Sequence, residues 1–89
     1  MAEQTENEQK KTERVVVDIF GQSYALKTDE PEMAQRLAAS VDAHMKRVAH
    51  HANSFDGQKI AVLAALQIAE EYEALKKDYD ELVELLNEK

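Results

Sequence analysis

The run Lys59-Ile60-Ala61-Val62-Leu63-Ala64-Ala65-Leu66-Gln67-Ile68-Ala69 decides the reading of this chain. It is apolar nearly all round a helix, and such a helix must be covered on every side. Following it to the C-terminus, the apolar positions narrow to a seam. Ala65, Tyr72, Tyr79 and Leu86 recur at one seven-residue spacing, and Ala61, Ile68, Leu75 and Leu82 at another. These are the a and d positions of a coiled coil, with Glu71, Lys76 and Asp78 at flanking e and g places. No breaker interrupts the pattern from Asp56, a plausible N-cap, to Glu88, so one helix of roughly 48 Å is expected at about 1.5 Å per residue. The chain is too short to fold this half back on anything of its own. The expected interface between copies is therefore Ile60, Leu63, Leu66, Ile68, Tyr72, Leu75, Tyr79, Leu82 and Leu86, in a dimer or a tetramer.

Working towards the N-terminus, Met33, Leu37, Val41, Met45, Val48 and Ala52 mark the apolar stripe of another helix. It starts near Thr28-Asp29-Glu30-Pro31, where a capping side chain, a first-turn proline and acids by the positive end of the dipole coincide. It stops around Asn53-Ser54. Before it, Arg14 to Thr28 reads as a β-hairpin. Val15, Val17 and Ile19 alternate in one strand, and Tyr24 and Leu26 in the next. With Gly21-Gln22 as a two-residue turn, Ile19 faces Tyr24, Val17 faces Leu26, and all five apolar residues share a face. A lone hairpin is marginal in water, so it must pack on a helix, extend into a larger sheet with a partner chain, or both. Residues 1–13 hold almost nothing apolar and read as a flexible tail. The expected organisation is α+β: tail 1–13, head 14–58, and long helix 59–89 carrying the association surface.

Composition limits the function. The chain has 89 residues, no cysteine, no tryptophan and a formal charge of −7. Disulfide and thiolate chemistry are excluded, and a reducing compartment is compatible. Residues 1–13 carry −2, residues 14–59 are neutral, and residues 60–89 carry −5. A nucleic-acid partner needs a concentrated basic face, and none is evident. The longest apolar run is too short to span a bilayer and the N-terminus is no secretion signal, which makes a cytoplasmic protein the expectation, with no membrane partner.

No residue constellation points to catalysis, to a cofactor, to a metal or to a small-molecule substrate. His44 and His51 lie seven apart on a helix, but a zinc site needs three or four ligands. Solvated or edge histidines are the plainer reading. Glu70, Glu71 and Glu73 read as surface charges. Asp42 is balanced between a partner contact and a local pair with Lys46 at i+4. Gln67 is balanced between a hydrogen bond across an interface and an exposed edge.

Two segments carry a family resemblance. Val17-Asp-Ile-Phe-Gly-Gln-Ser-Tyr-Ala-Leu, followed by Lys59-Ile-Ala-Val-Leu-Ala-Ala-Leu-Gln-Ile-Ala-Glu-Glu-Tyr, resembles the ZapA family of bacterial cell-division proteins, and "VDAHM" around Asp42 is similar to the family's first-helix pattern. The resemblance covers roughly residues 15–86. It implies a small sheet-and-helix head with a C-terminal coiled coil, assembly into dimers and tetramers, and binding and bundling of the tubulin-like protein FtsZ at midcell. It also implies a head contact with FtsZ, for which Gln22, Lys27, Arg36, Lys46 and Arg47 are the candidates. Gln22 stands where the family often carries a basic residue. The other reading is a coiled-coil adaptor or scaffold that does not bind FtsZ.

Overall fold

The computed structural model describes residues 11–88. Residues 1–10 of the expected tail lie outside the described residues, and Glu13, expected as its last residue, is the first of β1. The chain runs β1 (Glu13–Ile19), β2 (Gln22–Thr28), α1 (Pro31–Ala52) and α2 (Gly57–Asn87), the hairpin-plus-helices order expected from the sequence. It divides into two compact units, the first ending at Lys46 and the second beginning at Arg47.

In the first unit β1 and β2 form a two-stranded antiparallel sheet. The turn is Phe20-Gly21, not Gly21-Gln22. Ile19 pairs with Gln22, Val17 with Tyr24 and Val15 with Leu26. Both turn residues have positive φ, 52° at Phe20 and 82° at Gly21. That is the signature of a type I′ turn, whose twist matches the strands it joins. The correction moves the pairing by two residues. Because side chains alternate with period two, Val15, Val17, Ile19, Tyr24 and Leu26 still share one face.

A left-handed backbone costs a bulky residue such as Phe20 about 1–2 kcal/mol. Its amide has a partner that offsets this, since Phe20 N donates to Asp42 Oδ1 at 2.7 Å. A second tie lies two helical turns earlier, where Gln35 Nε2 donates to the Val16 carbonyl at 3.2 Å. Both ties hold β1 to α1, with strand and helix running the same way. Val17 is accordingly 1% exposed, whereas Gln22 to Lys27 of β2 are exposed throughout.

Helix α1 starts with Pro31 at its first position, where the missing amide is no loss. Thr28 Oγ1 accepts from Glu30 N at 2.9 Å just before it. It ends at Asn53, whose φ of 53° is a left-handed stop, with Asn53 N donating to the Ala49 carbonyl. The covered side of α1 is Ala34, Ala38, Val41, His44, Met45 and Val48. The expected stripe is thus partly wrong, because Met33 and Leu37 point outward at 40% and 58% exposure. Small Ala34 and Ala38 take the inner positions one residue further round the helix. His44 is also not a solvated or edge histidine. It is buried, and its Nδ1 donates to the Ser40 carbonyl at 2.8 Å, a bond within its own helix.

In the second unit, α2 is capped as expected. Asp56 Oδ1 accepts from Gln58 N at 3.1 Å and Lys59 N at 3.3 Å. Ile60 and Ala64 are buried, Leu63, Gln67 and Ile68 are half-covered, and every residue from Ala69 to Leu82 is exposed. No helix among the described residues is long and apolar enough to cross a membrane.

The I′ turn gives a direct test. Nothing lies within 4 Å of a Cβ built on Gly21, so the cost of a side chain there is conformational alone. Gly21→Ala is expected to lower stability by about 1 kcal/mol, and Gly21→Asn by much less, because Asn tolerates positive φ. Urea midpoints at unchanged slope measure both.

Candidate functional site

Exposed surfaces among the described residues are the candidates for function. The larger one lies along α2. Leu66, Tyr72, Leu75, Tyr79, Leu82 and Leu86 are between 55% and 72% exposed. Soluble monomers rarely leave a continuous apolar strip of this kind in water. Three of the expected interface residues, Ile60, Leu63 and Ile68, are less exposed than the rest. Ile60 is wholly covered within the chain, and Ala64 beside it likewise, so neither adds to the outward surface. Leu63 and Ile68 are half-covered. Val62 at 54% and Leu85 at 67% exposure belong to the strip and were not among the expected residues. They sit at e and g places, and a strict a/d reading passes over them. Phe55, in the segment between α1 and α2, is 99% exposed. A single aromatic in a short connection carries no periodicity by which a sequence could flag it.

Gln67 is not an exposed edge, one of the two readings weighed for it from the sequence. Its Oε1 is buried within the chain, with no hydrogen-bond partner among the described groups. It lines a shallow depression with Val48, His51, Ala52 and Leu63. His51 Nδ1 is engaged by the Arg47 carbonyl at 2.9 Å. Among the described residues no three His, Cys, Asp or Glu side chains gather as a metal-binding set.

The candidate partner-contact residues Gln22, Lys27, Arg36, Lys46 and Arg47 are all exposed. They do not form one patch. Gln22 and Lys27 sit on opposite faces of the hairpin, because they differ by an odd number of strand positions. Gln22 Oε1 accepts from the Tyr24 hydroxyl at 2.8 Å. Arg36 and Lys46 lie almost three turns apart on α1. Lys46 is further committed to an ion pair, its Nζ lying 2.9 Å from Asp42 Oδ2.

Asp42 therefore does two jobs at once. One carboxylate oxygen takes the Lys46 ammonium and the other takes the Phe20 amide at the hairpin turn. The Lys46 hydrogen bond, then the Phe20 amide, hold its carboxyl below the ordinary value of 3.8. The i+4 spacing makes the Lys46 pair legible in the sequence. The amide of a residue 22 positions earlier left no local signal.

A hairpin and helix followed by a long helix with an uncovered apolar strip define a protein that acts by contacting other proteins. The family model for "Cell division protein ZapA" matches residues 15–89. A "Cell division protein ZapA" of Geobacillus sp. (strain WCH70) is 42% identical over 81 residues, covering 90% of this chain and 92% of the relative. The corresponding protein of Bacillus pumilus (strain SAFR-032) is 36% identical over 77 residues, 85% and 91% of the two chains. Among solved structures, a ZapA mutant dimer from Geobacillus stearothermophilus matches with a TM-score of 0.67 and 40% identity, covering 86% of this chain and 91% of that one. The chain belongs to the ZapA family of cell-division proteins. Its role is in cell division, and the family is not one of enzymes.

The lowered pKa of Asp42 has a definite consequence. Its ion pair and turn bond contribute fully above pH 3.8 and are lost as the pH falls through the lower folded-state value. Asp42→Asn is expected to be less stable than the unaltered chain at neutral pH. The gap between the two should close on acidification below 3.8, as followed by thermal melts at each pH.

Proposed function

We propose that this protein binds filaments of FtsZ and crosslinks them at the division site, in the cytoplasm, as a multivalent oligomer. The observation that carries the reading is the uncovered strip on α2, which includes Tyr72, Leu75, Tyr79 and Leu82. Covering one Leu or Tyr of this kind stabilises an assembly by about 1.5–3 kcal/mol. A second copy supplies the same strip, and two-fold pairing is the commonest arrangement for identical chains. The relative from G. stearothermophilus being a dimer supports it.

The head, residues 14–58, is the part proposed to meet the filament, and residues 59–89 hold the copies together. Gln22, Lys27, Arg36 and Arg47 are exposed candidates for the contact. Lys46 contributes through what remains of its charge beside Asp42. One head binding weakly gains little. Two or four heads on one rod make the second contact intramolecular, and avidity rises by factors of about 10²–10⁴ without a new interaction. The acidic stretch 60–89, at −5, keeps the rod solvated.

Co-sedimentation with polymerised FtsZ tests the reading. The protein is expected to pellet only when filaments are present and to thicken them into bundles. Leu75→Asp and Leu82→Asp should reduce the mass in solution and abolish bundling. Arg36→Glu with Arg47→Glu should weaken pelleting while the mass stays unchanged. Failure of the unaltered protein to pellet with filaments would favour an adaptor that joins other proteins.

A further inference from the structure

The hairpin has two outer edges, and they are not equivalent. In an antiparallel pair closed by a two-residue turn, residues flanking the turn bond each other, and every second residue turns its N–H and C=O outward. Ile19 and Gln22 flank the turn. The outward residues are therefore Arg14, Val16 and Asp18 on β1, and Ser23, Ala25 and Lys27 on β2. The tie from Gln35 Nε2 to the Val16 carbonyl agrees with this assignment. Helix α1 thus shields the β1 edge through Gln35 and Asp42. Among the described residues no group bonds the outward backbone of Ser23, Ala25 or Lys27. An open edge of this length is a ready template for another strand.

We infer that the outer edge of β2 pairs with β2 of a second copy, antiparallel about a two-fold axis at Ala25, to give a continuous four-stranded sheet. This rests on the self-association reading above and specifies where one of its contacts lies. The occupant follows from the self-complementarity of the strand. With Ala25 opposite Ala25 of the second copy, Ser23 falls opposite Lys27, and all three outward residues meet outward residues. About six backbone hydrogen bonds form. A register moved by one residue would set outward groups against inward ones. On one face Tyr24 meets Leu26 of the second copy, covering two apolar side chains that are 45% and 42% exposed in the single chain. On the other face Val16, itself 59% exposed, and Ala25 line up with the same two residues of the copy as one apolar row.

Charge agrees with the same register. Lys27 lies next to Ser23 of the copy, and Ser23 donates its hydroxyl to Asp18. The Lys27 ammonium of one chain thus approaches the Asp18 carboxylate of the other at each end of the sheet. The two Lys27 side chains stand at opposite ends. Lysine on an edge strand ordinarily discourages pairing. Here the two-fold axis turns it towards an acceptor.

Two variants of the full chain test the sheet. The Ala25 N–H points outward, so proline costs the hairpin no internal bond and is tolerated on an edge strand. Ala25→Pro is expected to retain the far-ultraviolet dichroism of the unaltered protein while weakening self-association at least about tenfold, by loss of two symmetric bonds and ring contact across the axis. Directly opposite residues of a bonded pair have Cα atoms about 5.5 Å apart, within disulfide range. Ala25→Cys should therefore form a covalent dimer on mild oxidation, and Asn53→Cys, a control in the segment after α1, should not. A self-associating parent whose Ala25→Cys variant fails to crosslink would overturn the sheet. So would a folded Ala25→Pro variant with undiminished association. A monomeric parent would remove the association reading itself, and the sheet with it.

Discussion

The uncovered apolar side of α2 is the constraint on which the rest of the molecule turns. The helix spends Ile60 and Ala64 on cover within the chain and then runs on with every residue from Ala69 to Leu82 in water. No described element lies over that stretch. Hydrophobic association is non-directional, but a rod with a seven-residue seam makes it directional, since only another helix of matching repeat covers it evenly. A role in cell division, the one the family establishes, is consistent with a chain whose chemistry lies in what it gathers.

The first unit solves a different problem, that of keeping a small sheet in one place. A two-stranded hairpin has little stability of its own. Here it is tied to α1 at the middle of β1 by Gln35 and at the turn that follows by Asp42. Asp42 is the sharper device. It takes up the amide of a strained Phe20, draws Lys46 into an ion pair, and so couples the hairpin turn to a basic residue on the helix surface. The pair is modest by itself, because Lys46 is 66% exposed and solvent screens it. Its worth lies in geometry, since it holds the carboxylate where the Phe20 amide needs it.

Most of the architecture was legible in the sequence because it rests on local patterns. Alternation gave the strands, Pro31 and Asp56 gave the helix starts, and the heptad gave the outward strip. What was misplaced depends on contacts that no local pattern reports. Gly21 suits either turn position, and the choice falls to Phe20-Gly21 where a carboxylate from another element meets the Phe20 amide. On α1 the difference between the Met33-Leu37 face and the Ala34-Ala38 face is one residue of rotation, and large side chains outvote small ones in any hydropathy count. Buried His44 lies on the same inner face as Ala34 and Ala38, and the enclosed Gln67 oxygen lies beside Val48, His51 and Ala52, neighbours that spacing does not encode. Of the candidate site, the outward apolar strip was readable and the scatter of the basic residues over several faces was not, because charge counts ignore which face of a strand or helix a residue occupies.

Sedimentation equilibrium on the unaltered chain, run from below one micromolar to tens of micromolar (roughly), bears on the central claim most directly. Cover for the α2 strip by other copies requires a mass of two chains or four, rising with concentration towards a plateau. A compact, folded species that keeps the 10.1 kDa mass of one chain across the whole range would contradict it.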